Sequence, residues 1–237
     1  PERPCIFEYI YFSRPDSNLN GKNIYECRKE MGKQLSKECL TEGDIVIPVP
    51  DSGVPAALGF SEQSKIPFDL GIIRNHYVGR TFIEPTQKIR QLGIKLKHNP
   101  NRELIKNKKV ILVDDSIVRG TTAIKIVEMV RDAGAAEVHM RISSPPIMYP
   151  DYYGIDTPKK DELLASIYSL EEMKNKLKLD SLYFLSIDGL YKSMGFSSRN
   201  IKCSQFTDHC FTGDYPTELT DRDEGTLSSQ LSLLSNS

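Results

Sequence analysis

The chain has 237 residues, 39% apolar and 27% charged, and 31 Lys/Arg against 32 Asp/Glu leave a formal net charge of −1. That length supports one sizeable core or two small ones. The neutral balance gives no basic excess for nucleic acid or an anionic membrane, and no apolar run approaches the ~18 residues of a membrane span.

Along the chain, Phe7–Phe12 is aromatic and β-branched and predicts a strand. Asn23–Leu40 carries Ile24, Cys27, Met31, Leu35 and Cys39 at helical spacing behind a break at Asn20-Gly21, an amphipathic helix. Asp44–Val49 predicts a short strand, Pro50-Asp51-Ser52-Gly53 a turn, Val54–Ser64 a helix and Asp69–Ile73 another strand. Arg74–Lys109 breaks the rhythm with ten Lys/Arg against Glu84 and Glu103. It is either a solvated basic face or a lid over an anionic ligand.

Val110–Val113 is apolar without alternation, which suits a strand buried on both faces of a parallel sheet. Thr122–Ala133 predicts a helix with Ile124, Val127, Val130 and Ala133 inward and Gly134 at its C′ position. Glu137–Ile142 and Leu182–Ile187 read as further strands. The alternation predicts an α/β fold with a mostly parallel central sheet flanked by helices. Residues 220–237, rich in Ser, Leu and acids, are expected to form a mobile tail behind a domain spanning 1–219. The chain opens on Pro1-Glu2-Arg3-Pro4, with neither Met nor an apolar leader, and is read as part of a longer one.

The strongest chemical signal is Val110-Ile111-Leu112-Val113-Asp114-Asp115-Ser116-Ile117-Val118-Arg119-Gly120-Thr121-Thr122. A buried strand ends, two acids emerge at its carboxyl edge, and a short hydroxyl-rich loop feeds a helix. Ligands of open α/β sheets bind at that edge. The helix start offers free N–H groups and a positive dipole end, a phosphate cradle. Two acids beside an anion site must serve another part of the ligand, such as sugar hydroxyls or a hydrated Mg²⁺. Phosphate, vicinal hydroxyls and a metal together describe a sugar phosphate; a helix cap alone would explain one acid.

This stretch resembles the signature of the type I phosphoribosyltransferases, which bind 5-phosphoribosyl 1-diphosphate (PRPP). Arg74-Asn75-His76-Tyr77-Val78-Gly79-Arg80-Thr81-Phe82-Ile83, Phe7–Ser17, Ser143-Ser144-Pro145-Pro146, Tyr153-Gly154-Ile155-Asp156, Phe211-Thr212-Gly213 and Tyr215-Pro216-Thr217-Glu218 narrow the likeness to the glutamine–PRPP amidotransferases, over about residues 3 to 219. The resemblance implies a type I phosphoribosyltransferase fold with a long flexible catalytic loop and a C-terminal extension. It implies displacement of diphosphate from C1 of PRPP by ammonia, the first step of purine synthesis, with the ammonia supplied by an N-terminal glutaminase domain absent from this chain. It also implies purine nucleotide inhibitors and a cytoplasmic homo-oligomer, with no nucleic-acid or membrane partner.

Carried over residue by residue, Asp114 and Asp115 hold the ribose hydroxyls and Mg²⁺. Ser116, Ile117, Val118, Arg119, Gly120, Thr121 and Thr122 wrap the 5-phosphate, mainly through backbone N–H groups. Asp51, Ser52 and Gly53 form the diphosphate loop with Ser52 near the metal, and Arg74, Tyr77 and Arg80 belong to the closing lid. Some branches hold a [4Fe–4S] cluster, which takes four thiolates. Cys5 and Cys203 or Cys210 fall in suitable places, but Asp151 stands where a third cysteine belongs, and no Cys-x-x-Cys pair exists among residues 5, 27, 39, 203 and 210. No cluster is therefore expected, and the cysteines read as reduced thiols. The rival readings are a base-salvage transferase, which the Arg74–Ile83 match disfavours, and a PRPP-binding regulatory module, which would carry a basic nucleic-acid surface.

Overall fold

The computed structural model describes residues 2–39, 41–75, 98–154, 157 and 159–219. Its first element corrects the sequence reading: Glu8–Phe12 is a π-helical turn, not a strand. Ile6, Phe7, Tyr9 and Ile10 are all buried. That spacing, i, i+1, i+3 and i+4, is helical, and a strand would have turned half of these side chains to solvent. The strands β1 (Asn18–Leu19) and β2 (Lys22–Asn23) form a minimal hairpin. Asn20 and Gly21 both take positive φ, 49° and 74°, as a two-residue primed turn requires.

Asn23 then caps α1 (Ile24–Glu38), its Oδ1 accepting from the Glu26 N–H at 3.2 Å. β3 (Ile45–Pro48) leads into α2 (Val54–Ser64), and β4 (Ile72–Arg74) pairs antiparallel with β5 (His98–Pro100) away from the main sheet. The segment read as one long basic connection therefore contains β5 and a short helix, α3 (Arg102–Ile105). Its middle, 76–97, lies outside the described residues, as does the expected tail at 220–237.

β6 (Lys109–Asp114), α4 (Thr121–Asp132) and β7 (Glu137–Ile142) fall where the patterning put them, within a residue or so. α5 (Leu164–Ile167) and α6 (Leu170–Lys176) precede β8 (Ser181–Phe184). That strand stops short of the predicted Ile187, because Ser186 caps α7 (Ile187–Ser193) by accepting the Gly189 N–H at 2.8 Å. A last turn, α8 (His209–Thr212), follows.

The sheet has the order β3-β6-β7-β8 and is parallel throughout. Val46, Ile111 and Val113 face a core built with α1, α2, α7 and residues 206–211. Ile45, Ile47, Val110 and Leu112 face a second core built with α4 and α6. Burial on both faces is why Val110–Val113 carries no polar alternation. The two ends of the described chain meet: Cys5 bridges Thr207, Ile6 N–H donates to Thr207 O at 3.1 Å, and Thr207 N–H donates to Pro4 O at 3.0 Å. Beneath them, fully buried Asp208 accepts from Arg199 at 2.6 and 3.0 Å and from Tyr191 at 2.7 Å. All five cysteines are free thiols. Among the described residues no helix is long and apolar enough to cross a membrane.

Candidate active site

Parallel pairing sets Pro48 opposite Val113, so the loops that leave β3 and β6 emerge side by side at the carboxyl edge. They are tied together there. Val49 N–H donates to Val113 O at 2.9 Å, and Gly53 N–H returns to Val49 O at 3.0 Å. Gly53 is buried against this joint, where a side chain would collide with both carbonyl oxygens. The Ser143 N–H donates to Asp114 O at 2.9 Å, which fixes the first acid from the β7 side. Gly120 precedes α4 with φ 78°, a left-handed conformation that turns the loop into the helix start. Thr121 and Thr122 are exposed there, with the first N–H groups of α4 pointing outward.

These loops line a cleft of about 580 Å³ that holds Ser52, Asp114, Asp115, Gly120 and Thr122 together. Ile117 and Val118 also line the cleft, with the Ile117 side chain buried in the second core and Val118 O accepting the Leu164 N–H at 2.9 Å, which anchors the loop. Arg119 lines the cleft, but its guanidinium is held by Glu162 at 2.7 Å. Asp51 is exposed and ion-paired to Arg74, which fastens the root of the basic segment to the β3 loop. Tyr77 and Arg80 lie outside the described residues.

The acids carry the electrostatics. Burial holds the Asp114 carboxyl well above the ordinary carboxylate range, and the Asp115 charge beside it adds to that. Burial also raises Asp115, against hydrogen bonds from the Ser116 and Ser52 hydroxyls and from Asp114. Two adjacent desolvated carboxylates are stabilised by a cation or by polar donors. Among the described residues no group of three His, Cys, Asp or Glu could hold a metal by itself. That donor set suits Mg²⁺, which takes one or two carboxylates and completes its shell with phosphate oxygens and water. Asp114, Asp115 and the Ser52 hydroxyl are the residues that would hold it.

The residues do not fit an iron–sulfur cluster. Cys210 is buried in the first core with Cys5 packed against it, but Cys203 is exposed. Asp151 spends its carboxylate on His209, Oδ2 to Nε2 at 2.7 Å, with both side chains buried.

Sequence reasoning missed the opposite wall of the cleft. Phe7, Tyr11 and Phe12 come from the π-helical turn, and Ile147, Asp151 and Cys210 from segments far along the chain. The helical spacing of Ile6, Phe7, Tyr9 and Ile10 was the signal for the turn. No local signal announces the others.

The phosphoribosyl transferase domain family matches residues 19–143. The chain is 59% identical over 237 residues to an amidophosphoribosyltransferase of Rhizobium etli, covering 100% of this chain and 48% of the relative. It is 53% identical over 219 residues to the chloroplastic amidophosphoribosyltransferase 1 of Arabidopsis thaliana, covering 92% and 38%. The structure superposes with a TM-score of 0.84 and 50% identity on the solved B. subtilis glutamine PRPP amidotransferase complexed with ADP and GMP, over 93% of this chain and 48% of that one. The chain thus spans half or less of the length of these relatives.

Proposed function

This chain belongs to the phosphoribosyl transferase domain family, and from that membership we propose that it is the PRPP-using part of an amidophosphoribosyltransferase, its domain spanning 1–219 with 220–237 as a tail. The observation that carries the reading is the pairing of Asp114 and Asp115 with the start of α4, in one cleft beside the Pro50–Gly53 loop. The relatives named for this activity match the chain at 59% and 53% identity.

In the proposed reaction the nitrogen lone pair of ammonia forms a bond to C1 of PRPP. The C1–O bond to diphosphate breaks with its electrons on the leaving group, and one proton is lost from nitrogen to give 5-phosphoribosylamine. Backbone N–H groups of 116–122 bind the 5-phosphate at the positive end of α4. Asp114 and Asp115 accept hydrogen bonds from the ribose hydroxyls and stabilise the positive charge that develops on the sugar. When bound, Mg²⁺ neutralises charge on the diphosphate. The Asp51, Ser52 and Gly53 loop receives the diphosphate, and Arg74, Tyr77 and Arg80 close over it and exclude water. Neutral ammonia needs no strong base, so positioning and leaving-group stabilisation supply the rate. Ammonia from a glutaminase domain, inhibition by purine nucleotides, assembly into a homo-oligomer and a cytoplasmic location belong to the same proposal.

The test is diphosphate release from PRPP and Mg²⁺ with ammonium at alkaline pH, against an Asp114→Asn/Asp115→Asn control. Release that requires ammonium and is lost in the control supports the reading. A folded chain that binds PRPP but releases no diphosphate with ammonium refutes it in favour of a regulatory module.

A further inference from the structure

Arg28 does not belong to the pattern of α1. The helix gives Ile24, Cys27, Met31 and Leu35 to the core, and Arg28 sits among them, 4% exposed. A buried guanidinium is tolerated only when its donors and its charge are answered. Its donors go to two backbone carbonyls: Nε to Tyr9 O at 3.0 Å and Nη2 to Ser13 O at 2.8 Å. Those carbonyls bracket Ile10, Tyr11 and Phe12, and the last two rings line the cleft. Among the acids, it is the Asp115 carboxylate whose charge acts on Arg28. One side chain thus ties α1 to the aromatic turn, with its charge in the field of Asp115. π-Helical turns recur at functional sites.

We propose that Arg28 is a positioning residue of the active site, clamping the π-helical turn at Tyr9 and Ser13 so that Tyr11 and Phe12 hold the cleft wall that keeps water from the reacting carbon. This rests on the reading that PRPP is turned over here. A residue that only stabilised the fold would, when replaced, lower every activity of the cleft by the same factor. A residue that sets the wall changes how the reacting carbon is shared between ammonia and water.

The full chain and its Arg28→Met and Arg28→Lys variants are compared for diphosphate release with saturating ammonium and with none, at one Mg²⁺ concentration. The ratio of the two rates is independent of the fraction folded. Misplacing a reacting group by ~1 Å can cost ~100-fold, so Arg28→Met is expected to lower the ratio about tenfold or more. Arg28→Lys keeps the charge but reaches one carbonyl, and its ratio falls in between. An unchanged ratio in both variants overturns the proposal. If the unaltered chain releases no diphosphate, the substrate reading is what has failed, and amide hydrogen exchange decides the clamp separately. Faster exchange at Tyr9–Ser13 in Arg28→Met, with α1 unchanged, supports it, and unaltered exchange refutes it.

Discussion

Replacing Gly53 with alanine puts a methyl carbon 2.4 Å from Val113 O and 2.9 Å from Val49 O. Both oxygens belong to backbone at the strand ends, so neither can rotate away. Ordinary contact begins near 3.4 Å, so the Pro50–Gly53 loop must retreat by about 1.0 Å from β6. Overpacking of that kind costs roughly 1–3 kcal/mol of stability, which leaves most of the chain folded. The same retreat moves Ser52 relative to Asp115, and a ~1 Å error in a reacting constellation costs about 100-fold in rate, or ~2.7 kcal/mol of barrier. The assay is ammonium-dependent diphosphate release beside a thermal melt. The control is Gly21→Ala, whose φ is 74° but which has no atom within 4 Å of the added carbon, so it strains only the distant hairpin. A Gly53→Ala chain with the kinetics of the unaltered one would refute the idea that the two loops share a joint that sets the site.

Three further outcomes follow from the same geometry. Below the ordinary carboxylate pKa of about 3.9, folded and unfolded chains both carry the Asp114 proton. Above it only the unfolded chain ionises freely, so stability drains as pH rises toward the raised folded value. Asp114→Asn should therefore raise the melting temperature of the metal-free chain at about pH 7 and change it little near pH 3.5, while abolishing turnover; an equal shift at both pH values would contradict this. Arg74→Ala removes a surface ion pair with Asp51 and should cost under about 1 kcal/mol in a urea melt while lowering kcat/KM for PRPP; a large loss of stability would show that the pair holds the fold. Asp151→Ala strips buried His209 of its Nε2 partner and should cost roughly 1–3 kcal/mol in the same melt, a loss that matching Cys5→Ala does not reproduce.

The sheet and its carboxyl edge were legible because single local patterns specify them. Val110–Val113 announced double burial by its lack of alternation, and Val54–Ser64 was read to its observed bounds. Asp114 and Asp115 were legible because two acids at a strand end have no structural duty. The aromatic wall was not, because Phe7–Phe12 has the composition of a strand and only its burial spacing is helical. Ser186 marks the start of α7 and was overlooked inside an apolar run. Asp151 and Cys210 reach the cleft through tertiary contacts between distant segments, and no local rule records those. Arg28 carries no local signal, since a charge on an amphipathic helix ordinarily faces water and only its two carbonyl partners reveal its burial.

The bridge between Cys5 and Thr207 has a consequence for how the protein is made. The turn that walls the cleft precedes β3, β6 and β7 along the chain, yet the backbone that pins it at Ile6 is about two hundred residues downstream. Until that segment leaves the ribosome, Phe7, Tyr9 and Ile10 have no finished surface to cover. β3, β6 and β7 all leave the ribosome before that backbone does. The π-helical turn must wait, and the cleft gains its second wall only once Thr207 has been made.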